Sequence, residues 1–532
     1  FRNRMISRQV LIIFCVSIIH SNDAYKILVY NPKFGHSHSS FLGRIADILV
    51  EEGHNVTSLI PIMDPRVNDG TVKSTKIYIE ADPIVAHSYT SNTEQNVLEM
   101  RMLNPITPLF LTKLFETIIG RTCVKLLEEP GLIDRLREEK YDVFIVENFE
   151  VCGMGMSEAI QPRSVIATAS TCLYAFQFEE FGVPQALSHR PTLFHSSLDV
   201  HSFFSRLKNL IGELFIRIQF ILSRLACDRY LKERFGPDYP SVMFQSSRIA
   251  YLLTNSEPLL ESAAPTLSRV VDISHIGAQQ PKELNEYWNS ILSRRPHTIL
   301  LSFGSIAKSF LLPERTKEGI LKTITQFPDT LFIWKYEHPE DEFCRERASI
   351  LPNLVLSEWI PQVDLLNDER VIAFITHGGM GSAQETAASG VPGIFIPIFG
   401  DQPRNAGMME YTGLGIVFDK FDLHDDEKLS ATIREVTENP KYREKASLVS
   451  RMLASSPFKA REKLVKHVEF AAEFGASPAL RPQSHDMNFI EYNNLDIIAI
   501  AFFFLVLLLH VILKMIILVG AKIFRLRKSK AE

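Results

Sequence analysis

The chain has 532 residues, 46% of them hydrophobic and 22% charged, a size that predicts two large domains or three ordinary ones. A formal net charge of -5 gives no basic excess, so nucleic acid is not an expected partner. Six Cys without CxxC or Cys/His metal spacing argue against a structural zinc site and a disulfide scaffold.

At the start, Met5 and Arg8 precede an apolar run over 10–19, and Ser21, Asn22 and Asp23 follow it. A basic flank with an apolar run too short to span a bilayer predicts a cleaved signal peptide over 1–24. Residues 25–30 (YKILVY) then read as a buried strand closed by Asn31-Pro32. Leu42, Ile45, Ala46 and Leu49 recur at helical spacing, predicting a helix over 39–52, and 56–61 reads as the next strand. The sequon Asn55-Val56-Thr57 falls at that strand and is expected to be unused. Further strands are predicted at 143–146 and 164–169. Over 200–230, Phe203, Phe204, Leu207, Leu210, Ile211, Leu214, Phe215, Ile218, Phe220 and Ile221 make an unusually apolar helical region. Core packing is the expected use; a wall for an apolar acceptor or a surface resting on a membrane are the alternatives.

Periodicity fades over 275–285, which sets a first domain at 25–275 and a second at 286–485. In the second, 298–303, 331–335, 353–357, 373–376 and 393–397 read as strands separated by helices or turns. The pattern is α/β, two doubly wound domains whose cleft lies outside the carboxyl ends of both sheets. Residues 497–519 form an apolar run long enough to cross a bilayer, interrupted by His510 and Lys514, and set a transmembrane helix over 496–520. Asp486, Glu491 and Asp496 precede it, whereas Lys522, Arg525, Arg527, Lys528 and Lys530 follow. The positive-inside rule then places a tail over 521–532 in the cytoplasm and the domains in the lumen. Lys528 and Lys530 resemble a dilysine signal for the endoplasmic reticulum membrane, an oxidising compartment where the five Cys beyond the signal peptide could pair.

The loop after the first strand, NPKFGHSHSS, has Gly35 alone, and no GxGxxG or GxxxxGK[ST] opens either domain. Dinucleotide redox and P-loop chemistry are thereby disfavoured. In the second domain the strand AFIT runs into His377-Gly378-Gly379-Met380-Gly381-Ser382 and then a helix. Small residues admit a ligand to the backbone, and free N–H groups at a helix N-terminus suit a diphosphate. Upstream, Trp359 offers a stacking face and Gln362 an amide; downstream, Asp401 and Gln402 could bind sugar hydroxyls. Base platform, phosphate loop and sugar pair thus arise at successive strand ends.

The stretch 359–405 (WIPQVDLL…FITHGGMGSAQETAASGVPGIFIPIFGDQPRN) resembles the donor-binding signature of the UDP-glucuronosyltransferase family. The likeness extends to the GHSH loop, SFGS at 302–305, the membrane helix and the dilysine tail. It implies the GT-B fold, two facing Rossmann-like domains with acceptor in the first and UDP-sugar mainly in the second, plus a C-terminal transmembrane helix. It also implies no cofactor and no metal for catalysis. Carried onto this chain, Trp359 stacks on uracil beside Gln362, Ser305 and His377 meet the diphosphate with Gly379, Gly381 and Ser382, and Glu385 holds the ribose. Asp401 and Gln402 hold the donor sugar. His38 corresponds to the family's catalytic base, with His36 a loop residue, and Glu147 stands where the family has an orienting Asp. Asp142 is expected at the far end of the same strand. Gly381 stands where the family commonly has Asn, so a side-chain phosphate contact is lost, or is replaced by backbone N–H groups and the Ser382 hydroxyl.

The expected activity is inverting transfer of a sugar, glucuronic acid favoured, from a UDP-sugar to hydroxyl groups of small lipophilic acceptors. The alternatives are a UDP-glucosyltransferase on the same scaffold and a catalytically weak UDP-sugar- or lipophile-binding relative. A homo-oligomer stays open.

Overall fold

The computed structural model describes residues 24–90, 98, 106–172, 174–192, 199–243, 248–277 and 280–529. The expected signal peptide up to residue 23, and Lys530 of the dilysine pair, lie outside these residues.

Two parallel sheets organise the unit Phe1–Leu480. The first has seven strands: β1 (Lys26–Tyr30), β2 (Asn55–Pro61), β3 (Thr75–Ile79), β4 (Val143–Glu147), β5 (Ser164–Ala169), β6 (Ile249–Thr254) and β7 (Val270–Asp272), in spatial order β3-β2-β1-β4-β5-β6-β7. The second has six: β8 (His297–Ser302), β9 (Thr330–Lys335), β10 (Leu354–Ser357), β11 (Val371–Thr376), β12 (Gly393–Phe395) and β13 (Gly415–Val417), in order β10-β9-β8-β11-β12-β13. Central strands such as β4 and β8 are nearly continuous buried apolar runs, as a parallel sheet covered on both faces requires. The expected strands all form, within a few residues at their ends. β7 and β13, at 3 residues each, are too short to show a period. Asn55 opens β2 with an exposed side chain, so burial does not shield the sequon as expected.

Helix α1 (His36–Glu51) starts before its apolar period becomes visible. The polar HSHSS run forms its first turns, and Gly35 precedes it as N-cap. His36 and His38 are therefore helical rather than loop residues. Helix α2 (Ile106–Glu128) and helix α3 (Val151–Ile160) are joined by the disulfide Cys123–Cys152.

Helix α4 (Phe203–Phe235) overturns the expectation of core packing for most of its apolar residues. Phe203, Phe204, Leu207, Leu210, Leu214 and Ile218 are exposed, whereas Asn209, Glu213, Arg224 and Asp228 face inward. The inward polar groups hold loops: Asn209 Nδ2 donates to Leu187 O at 2.7 Å, and Glu213 accepts from Phe176 N at 3.0 Å. Asp228 accepts from Val242 N at 2.7 Å. Only Ile216, Phe220 and Leu231 among the large apolar residues of this helix are buried. A Leu214→Glu substitution is therefore expected to change stability by less than about 0.5 kcal/mol, read as the denaturant midpoint, whereas a core leucine would lose several times that.

The other helices used below are α5 (Met380–Ser389), α6 (Gln402–Tyr411) and α7 (Ala460–Phe474). Sequence position assigns α7 to the second domain, yet it packs on the first sheet. Its Leu464, Val465 and Val468 join the cluster of Ile27, Val29 and Ile45, and Arg461 Nε donates to Glu52 at 2.9 Å.

The second unit, Arg481–Glu532, contains α8 (Leu495–Ser529). Its apolar span Leu495–Leu526, whose most apolar stretch has mean hydropathy 2.9, is long and apolar enough to cross a membrane. The helix runs past the expected end at 520 and takes in the first basic residues of the tail.

Candidate active site

In both sheets the chain reverses its direction of winding once: between β1 and β4 in the first, between β8 and β11 in the second. Crevices open outside the carboxyl ends of strands at such points. Most residues expected to carry chemistry follow these four strands or their neighbours, whereas Trp359 and Gln362 follow the edge strand β10.

At the first reversal, His38 lies in the opening turn of α1, after β1, and Glu147 is the last residue of β4. His38 is 8% exposed and Glu147 0%. Asp142 lies beyond the opposite end of β4, where it accepts from Lys26 N at 2.8 Å, as expected. His38 and Glu147 are not in direct hydrogen-bond contact: Nδ1 and Oε2 are 3.6 Å apart. Ser170, the residue after β5, stands between them. Its Oγ donates to Glu147 Oε2 at 2.6 Å and is hydrogen-bonded to His38 Nδ1. The second carboxylate oxygen, Oε1, accepts from Phe149 N at 3.2 Å. Phe34 packs on the His38 ring at 4.2 Å between centroids, and Phe149 lies 5.7 Å away. Phe149 continues to Phe220 at 5.6 Å, and Phe220 to Phe176 at 5.0 Å. An aromatic wall thus flanks the imidazole, and the inward face of α4 supplies part of it. Met380, from the glycine loop of the second domain, packs against the same cluster.

At the second reversal, the His377 ring is held by two glycines. A Cβ on Gly304 would lie 2.6 Å from His377 Cε1, and one on Gly379 would lie 2.5 Å from Nε2. Gly304 also takes φ +86°, a conformation side chains disfavour. Burial, reinforced by the positive charge of Lys335, lowers the His377 pKa to about 4, so its ring is neutral near pH 7. Lys335 ends β9, is 7% exposed, and donates through Nζ to Gly304 O at 2.8 Å and Glu337 Oε1 at 3.0 Å. Ser305 follows Gly304 in the same loop. Gly379 is the N-cap of α5, so the first N–H groups of a ten-residue helix open beside His377. A Cβ on Gly381 would meet nothing within 4 Å.

Gln362 Nε2 donates to Ser382 Oγ at 3.3 Å and to Glu385. Burial raises the Glu385 carboxyl above its ordinary range, against the pull of that amide. Trp359 is 66% exposed, and Lys335 Nζ lies 5.8 Å from its ring centroid. An indole with an open face beside a cation suits a flat base. Asp401 accepts from Asn405 Nδ2 at 2.7 Å. Burial raises its carboxyl, while Asn405 and then His38 pull it down. That electrostatic reach sets Asp401 near His38 although the two belong to different sheets. Gln402 points its Oε1 at the backbone, accepting from Ile398 N at 2.8 Å and Phe399 N at 3.1 Å.

The two sheets are also bonded directly. Gln384 of α5 donates to Asn255 O at 2.7 Å, and Asn255 Nδ2 donates to Ser170 O at 2.9 Å. Arg404 of α6 pairs with Glu261 at 3.1 Å. Ser170 and Lys335 were not singled out in the sequence. Each ends or follows an expected strand beside one that carries a candidate residue, and that neighbourhood was the available signal.

The profile of the UDP-glucoronosyl and UDP-glucosyl transferase family matches residues 25–530. The chain belongs to this family. A Caenorhabditis elegans protein, ugt-48, named as a candidate UDP-glucuronosyltransferase, is 32% identical over 502 residues, covering 91% of this chain and 93% of its own length. The mouse UDP-glucuronosyltransferase 1A7 is 24% identical, covering 87% of this chain and 86% of its own. Among solved structures, a UDP-glucosyltransferase from Polygonum tinctorium superposes with TM-score 0.57 at 15% identity, over 85% of this chain and 99% of that one. The kitacinnamycin glycotransferase superposes with TM-score 0.60 at 18% identity, over 85% and 100%. The fold is GT-B, and as a member of the family the chain is a UDP-sugar-dependent glycosyltransferase. Among the described residues, Leu495–Leu526 is a long apolar helix suited to membrane anchoring.

Proposed function

We propose that this transferase moves a sugar, glucuronic acid favoured over glucose, to hydroxyl groups of small lipophilic acceptors, with His38 as general base and inversion at the anomeric carbon. The observation that carries this reading is an imidazole tied to a buried carboxylate through Ser170 and within electrostatic reach of Asp401. Residues 25–275 take the acceptor against the aromatic wall beside His38, and 286–485, apart from α7, take the UDP-sugar. Trp359 stacks on the base, with Gln362 beside it and Glu385 on the ribose. His377, Ser305, Ser382 and the free N–H groups of Gly379–Gly381 meet the diphosphate, and Asp401 with the Gln402 NH₂ meets the sugar. A neutral His377 donates a hydrogen bond without adding charge, so the helix end and Lys335 supply the positive potential for the departing UDP. The curated relatives' names favour glucuronic acid as donor. The basic flank of α8 favours a type I protein of the endoplasmic reticulum membrane with both domains lumenal.

Microsomes expressing the chain, given a panel of phenols with UDP-glucuronate and UDP-glucose in separate assays, test this reading. The expected result is a β-glucuronide, identified by proton NMR of the anomeric position. Transfer from UDP-glucose alone would move the assignment to the glucosyl donor, and an α-linked product would defeat the single-displacement scheme.

A further inference from the structure

The contact between the imidazole and the carboxylate is indirect. Glu147 Oε2 stops 3.6 Å from His38 Nδ1, too far for a hydrogen bond, and the Ser170 hydroxyl fills the interval. A hydroxyl has one proton and two lone pairs, whereas a carboxylate only accepts. With its proton given to Glu147 Oε2 at 2.6 Å, Ser170 Oγ has only a lone pair left for the ring. The Nδ1 position must then carry the hydrogen, and Nε2 is left as the lone-pair nitrogen.

We propose that Ser170 is a positioning residue for sugar transfer. It fixes His38 as the Nδ1–H tautomer and relays the charge of Glu147 to the ring. The proposal rests on the reading of His38 as general base. In the transfer step the acceptor hydroxyl gives its proton to Nε2 while its oxygen forms the new bond to the anomeric carbon. The bond to UDP breaks with its electron pair, so UDP leaves as an anion and His38 becomes an imidazolium. The imidazolium keeps its Nδ1–H on Ser170, whose own proton stays toward Glu147. Solvent takes the Nε2 proton after product leaves.

The surroundings make this arrangement rigid. Ser170 is 2% exposed, and Asn255 Nδ2 holds its carbonyl at 2.9 Å. Asn255 is in turn fixed by Gln384 of α5, so Ser170 is braced from the donor-binding side. Phe34 and Phe149 shield the ring. Among the described residues, the charged groups Glu147 and Asp401 are within reach of the imidazole. The added methylene of Glu, relative to Asp, does not close the gap to His38. The serine does.

The test uses the full chain in membranes and compares Ser170→Ala, Ser170→Thr and His38→Ala with the parent. UDP binding is followed by the quenching of tryptophan fluorescence. Ser170→Ala is expected to lower kcat roughly 10- to 100-fold with donor KM within about 3-fold, because it removes orientation and charge relay but not the base itself. The acid limb of its kcat/KM profile should move to lower pH, since a protonated ring loses its link to the carboxylate. Ser170→Thr, which keeps the hydroxyl, should recover most of the rate. Equal activity of parent and Ser170→Ala, a Ser170→Thr as poor as Ser170→Ala, or loss of UDP binding in Ser170→Ala would each overturn the relay. A parent inactive with every donor, or a fully active His38→Ala, would instead remove the general-base reading beneath it.

Discussion

Replacing His38 by Ala is expected to lower kcat by about 10²- to 10⁴-fold while the KM for UDP-sugar changes less than about 3-fold. The range is that of a positioned general base. Loss should fall on kcat because His38 belongs to the first sheet's side of the site, 8% exposed and packed on Phe34, whereas the elements proposed for the donor belong to the second sheet. A hydroxyl nucleophile is a poor attacker until its proton is removed, and the neighbouring imidazole of α1 is not placed to substitute. His36, two residues earlier in α1, has its protonated form disfavoured by burial and then by Lys335, and it lacks the link through Ser170 to Glu147. Steady-state kinetics at saturating acceptor provide the measurement. An unchanged kcat would mean that proton removal is not limiting or that another group performs it.

The second large effect is expected at Gly304. Gly304→Ala should weaken UDP binding about 30- to 100-fold, an effect of about 2–3 kcal/mol. Two costs combine. A residue with a Cβ is disfavoured by about 1–2 kcal/mol at the left-handed φ of +86°. The new methyl would also lie 2.6 Å from His377 Cε1, so the ring must move out of its place between Gly304 and Gly379. Gly381→Ala is the control in the same phosphate loop region. Its Cβ would enter open space, and affinity should change less than about 3-fold. Calorimetric titration of both variants with UDP separates the two cases. Equal affinities would show that the His377 ring does not depend on its glycine cradle. Gly381→Asn probes the same open space with the residue the family commonly carries, and is expected to bind UDP at least as tightly as the parent.

Much of the fold was legible because parallel sheets write themselves as short apolar runs. YKILVY, TILLSF and LFIWK are strands in the structure with ends displaced by a residue or so. The strand ends that carry His377, Asp401 and Glu147 were legible for the same reason: fixed spacing after a recognisable run. Helix α4 was misjudged. Its period is helical, but periodicity gives a stripe without saying which way it faces. The inward face is decided by Asn209, Glu213 and Asp228 finding backbone partners in loops that the period cannot anticipate. Helix α7 was likewise assigned by order in the chain, whereas its apolar stripe is complementary to β1 and α1.

The sequence by itself determined the α/β class, the loops that carry the candidate residues Trp359, His377, Asp401 and His38, and an apolar helix over the last segment. Each is a local property, written in residue types at fixed short separations. Tertiary structure alone decided how distant residues meet. Ser170 reaches His38 across 132 residues and Glu147 across 23, because strand order sets β5 beside β4 and β4 beside β1. Lys335 reaches Gly304 across 31 residues because β9 lies beside β8. Hydrophobic period specifies that a strand forms but not which strand becomes its neighbour. The identity of that neighbour placed the hydroxyl between His38 and Glu147.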